Sequence, residues 1–164
     1  MQELADLDIE WHFIGVLQSN KAKKAVENFQ LIHSVSSLKL AKKINDVAAR
    51  AEKKMPVLFE INLGGEESKA GFSEEEFFAS LDELSKLENL LPQGLMTVPP
   101  FLPPEQVRPY FSRLREILEK VRDQGYFDDR FKELSMGMSN DFEVAVEEGA
   151  TIVRIGTAIF GRRE

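Results

Sequence analysis

Leu134-Ser135-Met136-Gly137-Met138-Ser139-Asn140-Asp141, followed by Val153-Arg154-Ile155-Gly156-Thr157-Ala158-Ile159-Phe160-Gly161, is the pair of stretches that decides the fold. Each is a short apolar run, then a turn of small residues with free backbone N–H groups, then a helix start or the chain end. That arrangement binds anionic phosphate. Two such loops in succession point to one phosphorylated ligand. Upstream, short β-like runs at residues 9–14, 31–35, 57–63 and 94–98 precede the two runs of the motif, 131–136 and 151–155, giving six strands.

Helical patterns fill the intervals. Ser36-Ser37 opens a segment with Leu38, Ala41, Ile44, Ala48 and Ala51 on one face, and Ser73-Glu74-Glu75-Glu76 reads as a capping box ahead of Phe77, Phe78, Leu81 and Leu84. Residues 105–122 carry Val107, Phe111, Leu114, Ile117, Leu118 and Val121 at helical spacing, with Pro109 tolerable only near the first turn. A shorter helix is expected over 140–148, ended by Gly149. Alternating strands and helices make an α/β fold with parallel pairing. A doubly wound nucleotide fold places its Gly-rich loop after the first strand, whereas a (β/α)₈ barrel places its phosphate site after the last two. The motif sits at the end of the series, so the expectation is a TIM-type barrel, incomplete, with about six βα units of the usual eight.

Composition narrows the function. The 164 residues are 43% hydrophobic with 12 Phe, enough apolar material for a single domain over residues 1–164. Net charge is −7, from 28 acids against 21 bases, and the bases are interleaved with acids, which argues against a nucleic-acid partner. Absence of cysteine removes disulfides, thiolate metal sites and thiol nucleophiles and fits a cytoplasmic location. No apolar run approaches the roughly 18 residues of a membrane span, so no membrane partner is expected. Two histidines without His-x-x-x-His or Asp-x-Asp spacing make a metal site unexpected.

Trp11-His12-Phe13-Ile14-Gly15-Val16-Leu17-Gln18-Ser19-Asn20-Lys21, together with the two C-terminal stretches, resembles the pyridoxal-phosphate homeostasis proteins, single-domain relatives of the alanine racemase N-terminal barrel. Phe59-Glu60-Ile61-Asn62, Ser68-Lys69-Ala70-Gly71 and Gly94-Leu95-Met96 extend the resemblance along the chain. It implies a protein that binds and buffers pyridoxal 5′-phosphate, serves apo-enzymes that depend on that cofactor, and has no committed reaction. The implied cofactor-binding set is Ser135, Met136, Gly137, Ser139, Arg154, Gly156 and Thr157, with Asn62 and His12. Within it, Ser135 and Ser139 with the amides near Gly137, Gly156 and Thr157 resemble the phosphate cradle, and Arg154 resembles the arginine that faces the pyridine nitrogen. Family members attach the cofactor through a lysine on the first barrel strand. Met1-Gln2-Glu3-Leu4 looks like the residues that follow a second family motif, so the chain resembles a member shortened at its N-terminus, with binding non-covalent or weak.

Plainer readings stand beside these. The Gly156-Thr157 turn alone would be a tight turn closing a strand; the second loop and the resemblance turn the reading to phosphate. Ser139 also suits the N-cap of the following helix. Arg154 in an apolar strand needs a ligand or a carboxylate partner. His12, between Trp11 and Phe13, has the context of a core histidine more than of a catalytic base. Lys21 and Lys24 fall at the basic start of a helix and should be solvated, and Lys69, in a ligand-side loop, is the best substitute for the family lysine. A racemase would need an opposing tyrosine, and Tyr110 and Tyr126 lie in or near a helix. A split barrel completed by another chain or a second copy is the remaining alternative, since the missing units leave open edges.

Overall fold

The computed structural model describes residues 7–65 and 70–161. Six strands, β1 (His12–Phe13), β2 (Leu31–Val35), β3 (Met55–Glu60), β4 (Leu90–Met96), β5 (Glu133–Met138) and β6 (Ile152–Arg154), form one sheet in sequence order, every neighbouring pair parallel. Helices follow the strands: α1 (Ala22–Asn28), α2 (Leu38–Arg50), α3 (Glu74–Leu84), α4 (Pro104–Asp123), α5 (Phe142–Glu147) and the single turn α6 (Thr157–Phe160). Successive βα units laid side by side build an arc of a barrel.

The arc is strongly curled. β2 and β5 are three strand intervals apart, about 14 Å across a flat sheet. Yet the side chains of His33 on β2 and Ser135 on β5 meet at 2.8 Å. Only a sheet rolled toward a closed barrel brings them together.

The elements differ from the sequence expectation at their ends. The run at 9–14 contributes only two paired residues, because β1 lies at the edge and has one neighbour. Strand β4 begins four residues earlier than expected. The added residues include Pro92, and a register shift opposite Val57 and Leu58 accommodates Pro92 and Gly94 as an irregularity of the strand. Gly94 is obligatory there: at φ 155 a Cβ would lie 1.9 Å from the Glu133 carbonyl oxygen of β5. Ile61 leaves β3 to bridge Phe72, ending that strand short of residue 63. Pro109 lies in the second turn of α4, where it supplies no N–H to the Glu105 carbonyl, and the helix runs on through it.

Helix starts follow the sequence signals. The Ser37 hydroxyl accepts from Leu40 N, and Ser73 and Glu76 form the expected capping box. Lys21 and Lys24 are exposed. The main core lies between the convex face of the sheet and the helices, where Ile32, Val57, Phe59, Leu95 and Leu134 meet Ile44, Phe77 and Phe111. A second, smaller cluster of Leu31, Leu58 and Met96, flanked by Ile152, fills the concave side. It forms the floor of whatever the arc encloses.

Candidate functional site

Side chains alternate along a strand, so the residues two positions beyond the floor share its face. After Leu31, Leu58 and Ile152 come His33, Glu60 and Arg154, a polar layer above an apolar one. His33 is 1% exposed and Glu60 8%. Burying ionisable groups here requires partners.

For His33 and Arg154 those partners form a continuous chain. Arg154 donates from Nη1 to Ser135 Oγ at 2.7 Å and from Nη2 to the Thr97 carbonyl at 2.8 Å. The fully buried Ser135 hydroxyl meets His33 Nδ1 at 2.8 Å, and His33 Nε2 meets His12 Nδ1 at 3.0 Å. Burial, then the neighbouring His12 and Arg154, pushes the His33 imidazole down to about 3, so it is neutral across the physiological range. Burial pulls the Arg154 guanidinium down to about 10, against the attraction of Asp141 and Glu60, which leaves it a cation at neutral pH. Burial raises the Glu60 carboxyl and the Arg154 charge partly offsets it. Arg154 is therefore a half-buried cation whose direct hydrogen-bond acceptors are both neutral.

Above this layer the loops after β5 and β6 converge. Ser139 Oγ accepts from the amides of Gly156 at 3.2 Å and Ala158 at 3.1 Å. The loop is braced by Asp141, whose Oδ1 accepts from Met138 N at 2.7 Å. Helix α5 is in turn tied to α4 through Arg108, which reaches Glu147 at 2.6 Å and Glu148 at 3.0 Å. An open cavity of about 520 Å³ lies against this junction, lined by Phe101, Ser139, Asn140 and Thr157. Asn62, just past the end of β3, opens at the same end of the parallel sheet.

Several expected roles change. Ser139 is not the N-cap of α5; Asp141 holds that position, and the serine hydroxyl serves the α6 turn instead. The Met136 side chain is buried among the helix-side core residues, which leaves only its main chain for the site. Gly137 is required by packing: at φ 91 a Cβ would fall 2.6 Å from Ala145 Cβ on α5. The Ser135 hydroxyl is engaged by His33 and Arg154 below the loops, which makes it a link rather than part of the cradle. Lys69 lies outside the described residues. Tyr110 and Tyr126 pack against the helix-side core. Sequence reasoning missed His33, Glu60 and Thr97 as site residues. The available signal was a polar residue inside each otherwise apolar run. Among the described residues no group of three His, Asp or Glu is placed to hold a metal, and no helix is long and apolar enough to cross a membrane.

The family of the alanine racemase N-terminal domain matches residues 2–164. A pyridoxal phosphate homeostasis protein of Aquifex aeolicus is 48% identical over 164 residues, covering 99% of this chain and 71% of that protein. The chain belongs to the pyridoxal phosphate homeostasis protein family. The structure of PipY from Synechococcus elongatus with pyridoxal phosphate bound superposes with a TM-score of 0.89 at 39% identity, covering 98% of this chain and 74% of PipY. An alanine racemase from Clostridium difficile, at 20% identity and a TM-score of 0.74 over 98% of this chain and 42% of its own, shares the barrel architecture. The family's name describes homeostasis rather than a reaction.

Proposed function

We propose that this chain binds pyridoxal 5′-phosphate and buffers its supply, as one binding unit with no committed reaction. The observation that carries the reading is the junction of the two loops: the Gly156 and Ala158 amides already converge on an oxygen, that of Ser139, beside an open cavity and on the same side of the sheet as a cation that has no direct anionic partner among the described residues. Amides aimed at one oxygen suit a phosphate oxygen, and a guanidinium, which can only donate, suits an unprotonated pyridine nitrogen. The residues present fit the cofactor.

Ser139, Gly156, Thr157 and Ala158 would hold the phosphate, Arg154 would donate to the ring nitrogen, and the apolar floor of Leu31, Leu58, Met96 and Ile152 would exclude water beneath the ring. Bound, the cofactor supplies an aldehyde and an electron-accepting ring. By leaving the ring nitrogen unprotonated, Arg154 weakens that acceptor, which suits storage better than turnover. With no described lysine on the concave face of the sheet, binding by these 164 residues is reversible and non-covalent, open to release toward apo-enzymes. The cytoplasm is the proposed compartment, supported by the absence of cysteine. Among the described residues the outer edges of β1 and β6 pair with no further strand, and Val16, Ile159 and Phe160 near them are exposed, which supports coverage of these edges by a second polypeptide or copy.

Fluorescence titration with pyridoxal phosphate at fixed salt tests the site. Arg154→Ala, and the pair Ser139→Ala with Thr157→Ala, should each weaken binding by about 1.5 to 3 kcal/mol, the value of a charge-assisted contact. Unchanged affinity in both would remove these residues from the site.

A further inference from the structure

The hydrogen-bond chain beneath the site has a direction, fixed independently at both ends. At one end Arg154 has only donors, so its bond to Ser135 uses a lone pair of the hydroxyl oxygen. The single Ser135 O–H then needs an acceptor, and His33 Nδ1 lies 2.8 Å away. A neutral imidazole with a bare Nδ1 carries its proton on Nε2, which therefore donates to His12 Nδ1. His12 in turn holds its proton on Nε2.

At the other end, His12 Nε2 is buried without a hydrogen-bond partner among the described residues, and the nearest described carboxylate oxygen, Glu10 Oε1, stands 3.7 Å away. A carboxylate can only accept, so a protonated Nε2 attracts it and a bare one repels it. The opposite polarity would leave the Ser135 proton without an acceptor and set two acceptors face to face. An obligate donor on β6 and an obligate acceptor ahead of β1 thus select the same order through four side chains.

We infer that His33, held in the Nε2–H tautomer between His12 and Ser135, is a positioning residue that draws the Ser135 proton away from Arg154 and so fixes the guanidinium across the floor of the ligand site. His33 need not touch a ligand. With Nη1 on Ser135 and Nη2 on Thr97, Arg154 keeps its other N–H groups for a ligand acceptor. The inference concerns the chain's own protons and rests on the pyridoxal phosphate reading only for its affinity arm.

The first measurement needs no ligand. Two-bond proton–nitrogen couplings in the ¹⁵N-labelled protein should show His33 and His12 with Nε2 protonated and Nδ1 bare, His33 unchanged from about pH 5 to about pH 8. A protonated Nδ1 on His33, or an even mixture of tautomers, overturns the proposal. The second compares His33→Gln, whose amide can accept from Ser135 and donate to His12, with His33→Leu, which can do neither. Hydrogen exchange of the Arg154 guanidinium should stay within about threefold of the parent in His33→Gln and quicken about tenfold in His33→Leu, and pyridoxal phosphate affinity should fall in the same order. Equal behaviour of the two variants refutes positioning. If the unsubstituted chain fails to bind pyridoxal phosphate, the cofactor reading falls while the nitrogen couplings and guanidinium exchange still decide the chain's polarity and the role of His33.

Discussion

Acidification from about pH 7 to about pH 5 should destabilise this protein through His33 by about 2 kcal/mol. In the unfolded chain the imidazole titrates at 6.5, and burial beside His12 and Arg154 holds it at about 3 in the fold. Between these values the unfolded state binds the proton and the folded state does not, so stability falls as pH falls through that window and levels off below about 3. At about 1.4 kcal/mol per unit, the roughly 1.5 units between 6.5 and pH 5 give the figure above. Glu60 acts in the opposite sense, since its raised carboxyl lets the folded state take a proton first as pH drops. The comparison that isolates His33 is with His33→Gln, which keeps Glu60 and removes the imidazole. Urea unfolding at about pH 5, 6 and 7 should show the parent losing about 2 kcal/mol more than the variant over the range. Parallel stability curves would mean that His33 is neither as buried nor as neutral as the geometry requires.

Gly137→Ala should cost about 2 kcal/mol or more, because φ 91 and a Cβ 2.6 Å from Ala145 leave no room beside α5; thermal unfolding at the parent's midpoint checks it. Borohydride treatment with pyridoxal phosphate, followed by peptide mass spectrometry, should give no stoichiometric adduct on a single lysine, and one on Lys69 would establish a covalent site. Light scattering should show association beyond the monomer, through the edges beside β1 and β6, whereas a cooperative monomer at every concentration would refute the need for a covering chain.

The fold was legible because its signals are local. Ser73 with Glu76, the apolar stripe of α4 and the small-residue loops after β5 and β6 act within a few residues of themselves. Strand ends were less so. The expected run began at Gly94, and only the neighbouring strands show that a register shift lets β4 start at Leu90 and pass through Pro92. The same limit governed the site. Gly137 reads as a phosphate-loop glycine until α5 is seen against it, and Ser139 reads as a cap until the α6 turn folds over it. His33 sits 102 residues from Ser135, and only the curl of the sheet joins them. An isolated histidine in an apolar strand marks a buried polar group without naming its partner.

Titrating the ¹⁵N-labelled chain with pyridoxal 5′-phosphate and, in parallel, with pyridoxal most directly tests whether the paired loops hold the cofactor's phosphate. The amide signals of Gly156, Thr157 and Ala158 should shift and saturate with pyridoxal 5′-phosphate, and far less with pyridoxal. Equal shifts with both compounds, or shifts confined to residues away from Ser139 and Arg154, would contradict the account.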